Sequence, residues 1–306
     1  MDFSVSLSTI KIQPYENGFG ALVTGVIFDD ILTHLDDLKR AFAKYRVLVF
    51  RGANISYANL EQLNSLMGEP FIHPQQKSGG NAHFPGHPTI ALISSVTGDR
   101  SSNAEFPWHA DGSFDKEPIG ISFMQAQSLP SAPTFTEFVD MVMVRKNMPE
   151  EVTQLLKGKK IQIDTVYKAY GPRRVGVDEP TTDDRTQWHG IPHDMLQKDE
   201  KTGECWIYLG AKSVKNSAFI VGMDRETSDA ILAMIWKMVD TEGCRLMHKW
   251  ENGDLVGWDN LCTMHRSPAW EETKGDIREL LRVQSIDKLT PPLANHPIAT
   301  QLKTRY

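Results

Sequence analysis

Three side chains in this chain of 306 residues have the types and spacing to hold a metal ion. His109 and Asp111 stand two apart in Phe106-Pro107-Trp108-His109-Ala110-Asp111-Gly112-Ser113-Phe114. On a strand, residues two apart project to one face, so an imidazole and a carboxylate would be offered together. A lone His-x-Asp is weak evidence, because a hydrogen-bonded structural pair reads the same. A third donor, His265, follows an apolar run from Gly253-Asp254 that is broken at Asp259-Asn260. It returns to the pair if the sheet folds back on itself, as a jelly roll does. Two histidines and one carboxylate leave three adjacent positions open on the metal, the arrangement of non-haem Fe(II) oxygenases. A chelating cosubstrate takes two of them and dioxygen the third. Zinc on the same ligands would instead activate water for hydrolysis.

A cosubstrate with a distal carboxylate also needs a fixed cation, and the planar fork of arginine matches a carboxylate. Arg278 and Arg282 offer this in Ile277-Arg278-Glu279-Leu280-Leu281-Arg282-Val283. Their spacing is helical, yet alternation with Leu280 and Val283 permits a strand with both arginines on one face. Exposed surface arginines would read alike.

Elements that could position these groups alternate along the first third of the chain. Gly18 to Ile27 reads as a strand, and Thr33 as the cap of a helix carrying Leu35, Leu38, Phe42 and Tyr45. Residues 46–51 read as a buried strand closed by charges, and a helix is expected from Ser56 to Gly68. From Ile119 onward strands dominate, with one clear helix capped by Asp224 and carrying Ile231, Met234, Ile235 and Met238. Residues 171–188 are polar and turn-rich, which suits a lid or a solvated surface excursion. With no repeat or linker in view, one domain over 1–306 is expected.

Composition narrows the partners. Lys+Arg 33 against Asp+Glu 39 gives a net charge of −6, which argues against a broad nucleic-acid or anionic-membrane footprint. The apolar runs are too short to cross a bilayer, and the N-terminus lacks the pattern of a signal peptide. Cys205, Cys244 and Cys262 lie far apart, so reduced thiols and a cytoplasmic location are expected.

At these residues the sequence resembles the taurine/2,4-D dioxygenase (TauD/TfdA-like) group of Fe(II)- and 2-oxoglutarate-dependent oxygenases. The resemblance runs from GFGALVTGV through YRVLVFRG, MGEPFIHP and WHADGSF. It continues through IPHDMLQKDEKTGECWIYLG and IVGMDRETSDAILAMI to GDLVGWDNLCTMHR and RELLRV. The order and joint presence of these pieces carry the signal. The fold it implies is mainly β with flanking helices, a double-stranded β-helix or jelly roll of the clavaminate synthase-like form.

Carried over by position, the resemblance implies that His109, Asp111 and His265 ligate iron. Thr136 and Arg278 would hold the distal carboxylate of 2-oxoglutarate, and Arg282 and His73 would face the substrate. The implied cosubstrates are 2-oxoglutarate and O2. The implied reaction oxidises a C–H of a small anionic molecule, with hydroxylation the default and desaturation, cyclisation or cleavage seen among relatives. Halogenation is disfavoured because Asp111 is present. Departures are visible. Pro133-Thr134-Phe135 replaces the usual Gly-Gly-Asp before Thr136, and the stretch from His265 to Arg278 is longer than usual. Glu105-Phe106-Pro107 lacks the polar pair that the taurine enzyme presents, so taurine is not the expected substrate. Oligomers are common in the group, but no interface is legible. A zinc hydrolase would leave Thr136 and Arg278 without a purpose, and an inactive binding protein would not need all three ligand positions filled.

Overall fold

The computed structural model describes residues 10–72, 83–95, 104–174, 177–182, 184, 187–188, 190–200, 202–273 and 275–286. His73 lies outside them. The strands, in chain order, are β1 (Lys11–Pro14), β2 (Ala21–Thr24), β3 (Val47–Phe50), β4 (His83–Phe84), β5 (His87–Ser94), β6 (Phe106–His109), β7 (Ile121–Ser128) and β8 (Phe135–Asp140). There follow β9 (Lys160–Gln162), β10 (His193–Asp194), β11 (Leu196–Lys198), β12 (Cys205–Ile207) and β13 (Phe219–Ile220). The last are β14 (Arg245–Lys249), β15 (Leu255–Asp259), β16 (Thr263–Ser267) and β17 (Glu279–Ser285). The helices are α1 (Leu35–Tyr45), α2 (Tyr57–Met67), α3 (Met141–Lys146), α4 (Glu150–Leu156) and α5 (Arg225–Val239).

Two sheets face one another as a jelly roll. The larger runs β1-β2-β3-β15-β7-β17-β5-β4 and the smaller β14-β8-β16-β6. Val47, Val49, Met124, Val256, Trp258 and Leu280 from the large sheet meet Phe138 and Trp250 between the two. The other face of the large sheet, with Leu48, Phe123, Leu281 and Val283, is covered by α1 and α2. The other face of the small sheet, with Trp108, Val139 and Met264, is covered by α3, α4 and α5. Strand alternation makes this layering possible, since each sheet is apolar on both sides.

Several local expectations are refined. The glycines at the start of the Gly18–Ile27 run form a tight turn rather than strand, with Gly18 at φ +74 and Gly20 at φ +82. A Cβ at Gly20 would stand 2.6 Å from Leu246 Cδ2. Ser56 caps α2 through Asn59 N at 3.2 Å, and Asp224 caps α5 through Thr227 N at 2.9 Å, both as expected. Thr33 does not cap α1. A 3-10 turn over Phe28–His34 runs straight into that helix, leaving no free end at Thr33 to cap. Helices α3 and α4 add to the single late helix expected; at 6 and 7 residues they are too short to display a helical period. Cys244 and Cys262 are buried and Cys205 exposed, all free. Among the described residues no helix is long and apolar enough to cross a membrane.

The turn entering β15 is locked by Asp254. Its carboxylate, fully buried, accepts from Gly52 N at 3.0 Å, Glu251 N at 2.9 Å and Arg51 Nη1 at 2.5 Å, and lies 3.2 Å from His248 Nε2. Burial pushes its pKa up, but His248, the two backbone N–H groups and Arg51 outweigh that and hold it below the ordinary range. A depressed folded pKa stabilises above the unfolded value and is lost as pH falls towards the folded one. Asp254→Asn is expected to lower stability by about 3 kcal/mol at pH 7. The gap to wild type should narrow below about pH 4 in denaturant titrations. A gap independent of pH would contradict this assignment.

Candidate metal centre and cosubstrate pocket

The smaller sheet brings the two histidines together. His265 on β16 is the register partner of His109 at the end of β6, and of Phe138 on β8. Their rings lie 4.1 Å apart between centroids, flanked by Phe106 against His109 at 4.2 Å and Trp258 against His265 at 4.9 Å. His109 Nδ1 lies 2.9 Å from Pro107 O, an acceptor, so this nitrogen carries the proton and Nε2 is left as the donor atom for a metal.

Asp111 reaches the same point by a different route from the one expected. Strand β6 ends at His109, so the pleat does not aim the carboxylate. The chain turns instead, helped by Gly112 at φ +62, and Asn260 holds that turn. Asp111 N donates to Asn260 Oδ1 at 2.9 Å, and Asn260 Nδ2 donates to Asp111 O and Ile119 O, each at 2.9 Å. Asp111 Oδ1 lies 3.6 Å from His109 Nε2 and Oδ2 lies 3.7 Å from His265 Nε2. The three donor atoms fall within 4.8 Å of one another.

Arg282 Nη1 spans the same carboxylate, 3.2 Å from each oxygen, and Gln284 Nε2 donates to Oδ2 at 2.9 Å. Burial would raise the Asp111 pKa, but Arg282, with His109 and His265, holds it well below the usual carboxylate range. The group is therefore an anion at neutral pH, as a metal ligand must be. Two imidazoles and one carboxylate converging at a largely buried point suit a divalent ion such as Fe(II). Gln284 and Asn260 escaped the sequence reading. Gln284 could have been found by carrying the strand alternation two residues beyond Arg282.

Arg278 adjoins β17, which settles the choice between helix and strand for the two arginines. Leu280, Arg282 and Gln284 share its inner face, while Leu281 and Val283 pack outward under α1 and α2. Arg278 is tied to β5 by Arg278 N donating to Ser95 Oγ and Ser95 N donating to Arg278 O, each at 2.9 Å. It lines a cavity of about 60 Å³ with Ile93, Phe106, Ser267 and Trp270. Phe106 touches His109 and Ser267 lies two residues past His265, so the cavity borders the metal-donor cluster. Thr136 points inward from β8 as Phe138 does, buried, and its Oγ1 accepts from Trp250 Nε1 at 2.9 Å. It is not among the residues lining the Arg278 cavity.

Parts of the 171–188 segment lie outside the described residues. Of the rest, Arg174 lies 3.9 Å over the Phe114 ring, and the adjoining Tyr170 packs on Phe106 at 4.8 Å. Both contacts fall on aromatic residues that bracket the His109–Asp111 stretch.

A jelly roll with two histidines and a carboxylate converging beside an arginine-lined cavity defines a class of mononuclear metal oxygenase. Comparison with known proteins specifies the family. The model of the taurine catabolism dioxygenase TauD, TfdA family matches residues 11–284. Pentalenolactone F synthase of Streptomyces avermitilis is 26% identical over 288 residues, covering 87% of this chain and 90% of the relative. The alpha-ketoglutarate-dependent 2,4-dichlorophenoxyacetate dioxygenase of Burkholderia sp. (strain RASC) is 25% identical, covering 82% and 85%. The solved structure of AAD-2 in complex with Mn(II) and N-oxalylglycine superposes with a TM-score of 0.72 at 20% identity, covering 93% of this chain and 99% of that one. The chain belongs to the TauD, TfdA family. It is an oxidoreductase, an Fe(II)- and 2-oxoglutarate-dependent dioxygenase that uses O2.

Proposed function

We propose that His109, Asp111 and His265 hold the iron and that Arg278 and Thr136 hold the distal carboxylate of 2-oxoglutarate, within a single catalytic domain. The observation that carries this reading is the convergence of three donors beside a cavity lined by Arg278. When bound, Fe(II) with 2-oxoglutarate and O2 supplies the oxidising chemistry, in which a substrate C–H becomes C–OH while 2-oxoglutarate gives succinate and CO2. The chain's own groups bind, orient and exclude water. Asn260 fixes the Asp111 backbone and Gln284 its carboxylate, Pro107 O fixes the His109 tautomer, and the Phe106, Trp258 and Phe138 rings keep the histidine side of the centre apolar. Trp250 engages one lone pair of the Thr136 oxygen. Its O–H is then left to donate, as a carboxylate ligand requires.

The substrate in this reading is a small anionic molecule. Its support is Arg282, whose Nε is buried without a hydrogen-bond partner among the described residues. The dichlorophenoxyacetate named for one relative is itself a carboxylate. His73 is retained as a substrate-facing group, and the 171–188 segment as a lid whose Arg174 and neighbouring Tyr170 close over Phe114 and Phe106. Free thiols are in keeping with a cytoplasmic enzyme.

Anaerobic titration with Fe(II) and 2-oxoglutarate should develop the visible charge-transfer band of the chelate, and His265→Ala should abolish it. A folded, iron-loaded protein without the band would sink the cosubstrate assignment. Once a substrate is found, Arg282→Lys is expected to raise its KM by about tenfold and that of 2-oxoglutarate by far less. Equal effects on the two would reassign Arg282 to the metal centre alone.

A further inference from the structure

The face of the small sheet turned away from the metal donors carries a continuous polar row. Glu137 on β8 stands opposite Arg266 on β16, Arg245 on β14 reaches Glu137 diagonally from beside Val139, and Trp108 on β6 completes the row. Arg266 Nη2 donates to both oxygens of buried Glu137, at 3.1 and 3.0 Å, and Arg245 Nη2 donates to Oε2 of the same carboxylate. The Arg266 guanidinium lies 4.8 Å over the Trp108 ring, and that of Arg245 lies 6.0 Å from it. Trp108 is 1% exposed, and its Nε1 donates to Asp240 Oδ1 at 2.9 Å, at the end of α5. Lys212 Nζ holds the other oxygen of Asp240 at 3.1 Å.

The row meets the metal site through the chain itself, because Trp108 precedes His109 and Arg266 follows His265. The backbone pairing there is short and irregular: His265 pairs with His109 and Ser267 with Phe106, two residues against three. The bulge interrupts the ladder on this side of β6, whose other edge is held by Lys212 N donating to Trp108 O at 2.8 Å and Ala110 N donating to Gly210 O at 2.7 Å. A slip of one residue on β6 would exchange His109 and Trp108 between the two faces.

We propose that Trp108, Arg266 and Glu137 are positioning residues that set the register of β6 against β16 and thereby the His109–His265 separation on which metal affinity depends. The inference rests on the metal reading above. Breaking the Arg266–Glu137 contact should weaken the centre while leaving the fold in place, because Trp108, Val139 and Met264 still pack that face under the helices.

The test is Mn(II) affinity, read by electron paramagnetic resonance on the full chain, beside the melting temperature without metal. Arg266→Met is expected to weaken Mn(II) binding about tenfold, Arg266→Lys less, and Glu137→Gln about fivefold. Arg225→Met, which breaks the remote Arg225–Asp229 pair, should leave affinity unchanged. Should Arg266→Met fail to fold, Glu137→Gln, nearly identical in volume, decides the matter. Two folded variants that bind Mn(II) within twofold of wild type would overturn the proposal. So would losses that follow the fall in melting temperature equally in Arg225→Met. A wild type that does not bind Mn(II), or a His265→Ala protein that binds as well as wild type, would overturn the metal reading itself.

Discussion

Asp111→Ala is expected to reduce 2-oxoglutarate-dependent succinate formation below about one-thousandth of wild type, a loss of about 4 kcal/mol of transition-state stabilisation. Two effects act together. One donor of three is gone, and Arg282, whose Nη1 sits 3.2 Å from both Asp111 oxygens, loses its counter-charge beside the metal. An uncompensated guanidinium at a half-buried site repels a divalent cation and is itself costly to leave unpaired. The electrostatic part is separable. In Asp111→Ala/Arg282→Ala both charges are absent, so Mn(II) affinity should recover part of what the single variant lost, though activity should not return. A double variant that binds metal no better than Asp111→Ala would show that Arg282 contributes no repulsion, and that its contact with the carboxylate serves orientation only. Asp111→Asn offers a third comparison, because it keeps the shape and one oxygen but not the charge. Its metal affinity should fall between those of wild type and Asp111→Ala.

What could be read from the sequence divides along a physical line. Features encoded locally were legible. Val47 to Phe50 announces a buried strand, Ser56 and Asp224 announce helix starts, and His109, Asp111 and His265 stand out by their types as candidate donors. Features that depend on how distant strands register were not. Asn260 looks like a strand breaker, which it is, but its clamp on both backbone groups of Asp111 exists because the turn after β15 lies against the turn after β6. Gln284 gains its role from β17 lying opposite that same turn. Asp111 was correctly paired with His109 for an incorrect reason, since the strand stops two residues before it and a turn supplies the convergence. The row from Arg245 to Trp108 spans four strands, and no spacing along the chain encodes it. Arg282 shows the same limit from the other side: its inward aim follows from strand alternation, but its engagement with a metal donor is a fact of tertiary packing.

Arg278→Ala is expected to raise the KM for 2-oxoglutarate about 100-fold, close to 3 kcal/mol, while kcat at saturating cosubstrate falls by no more than a few-fold. Arg278 lies just before β17, anchored to Ser95 through its backbone, so its side chain projects into the cavity from a fixed base. The cavity wall around it sets Ile93, Phe106 and Trp270 beside Ser94, Ser95, Ser267 and Glu105, and an arginine there makes a strong, charge-assisted pair with a carboxylate. Removing it costs binding that is the same in ground state and transition state, which is why KM moves and kcat does not. Arg278→Lys keeps the charge but not the planar fork, and about a tenfold rise is expected. Thr136→Val should give a smaller rise, about fivefold, because one neutral hydrogen bond is lost rather than a charged pair. The comparison with Arg282 is decisive for both residues. In the proposed assignment Arg278 acts on the cosubstrate and not on the metal, so its variants should keep wild-type Mn(II) affinity. Arg282→Ala, which unties Asp111, should not. If Arg278→Ala instead spared the KM for 2-oxoglutarate and raised that of the substrate, the two arginines would exchange roles. The cavity beside His109 would then be the substrate's.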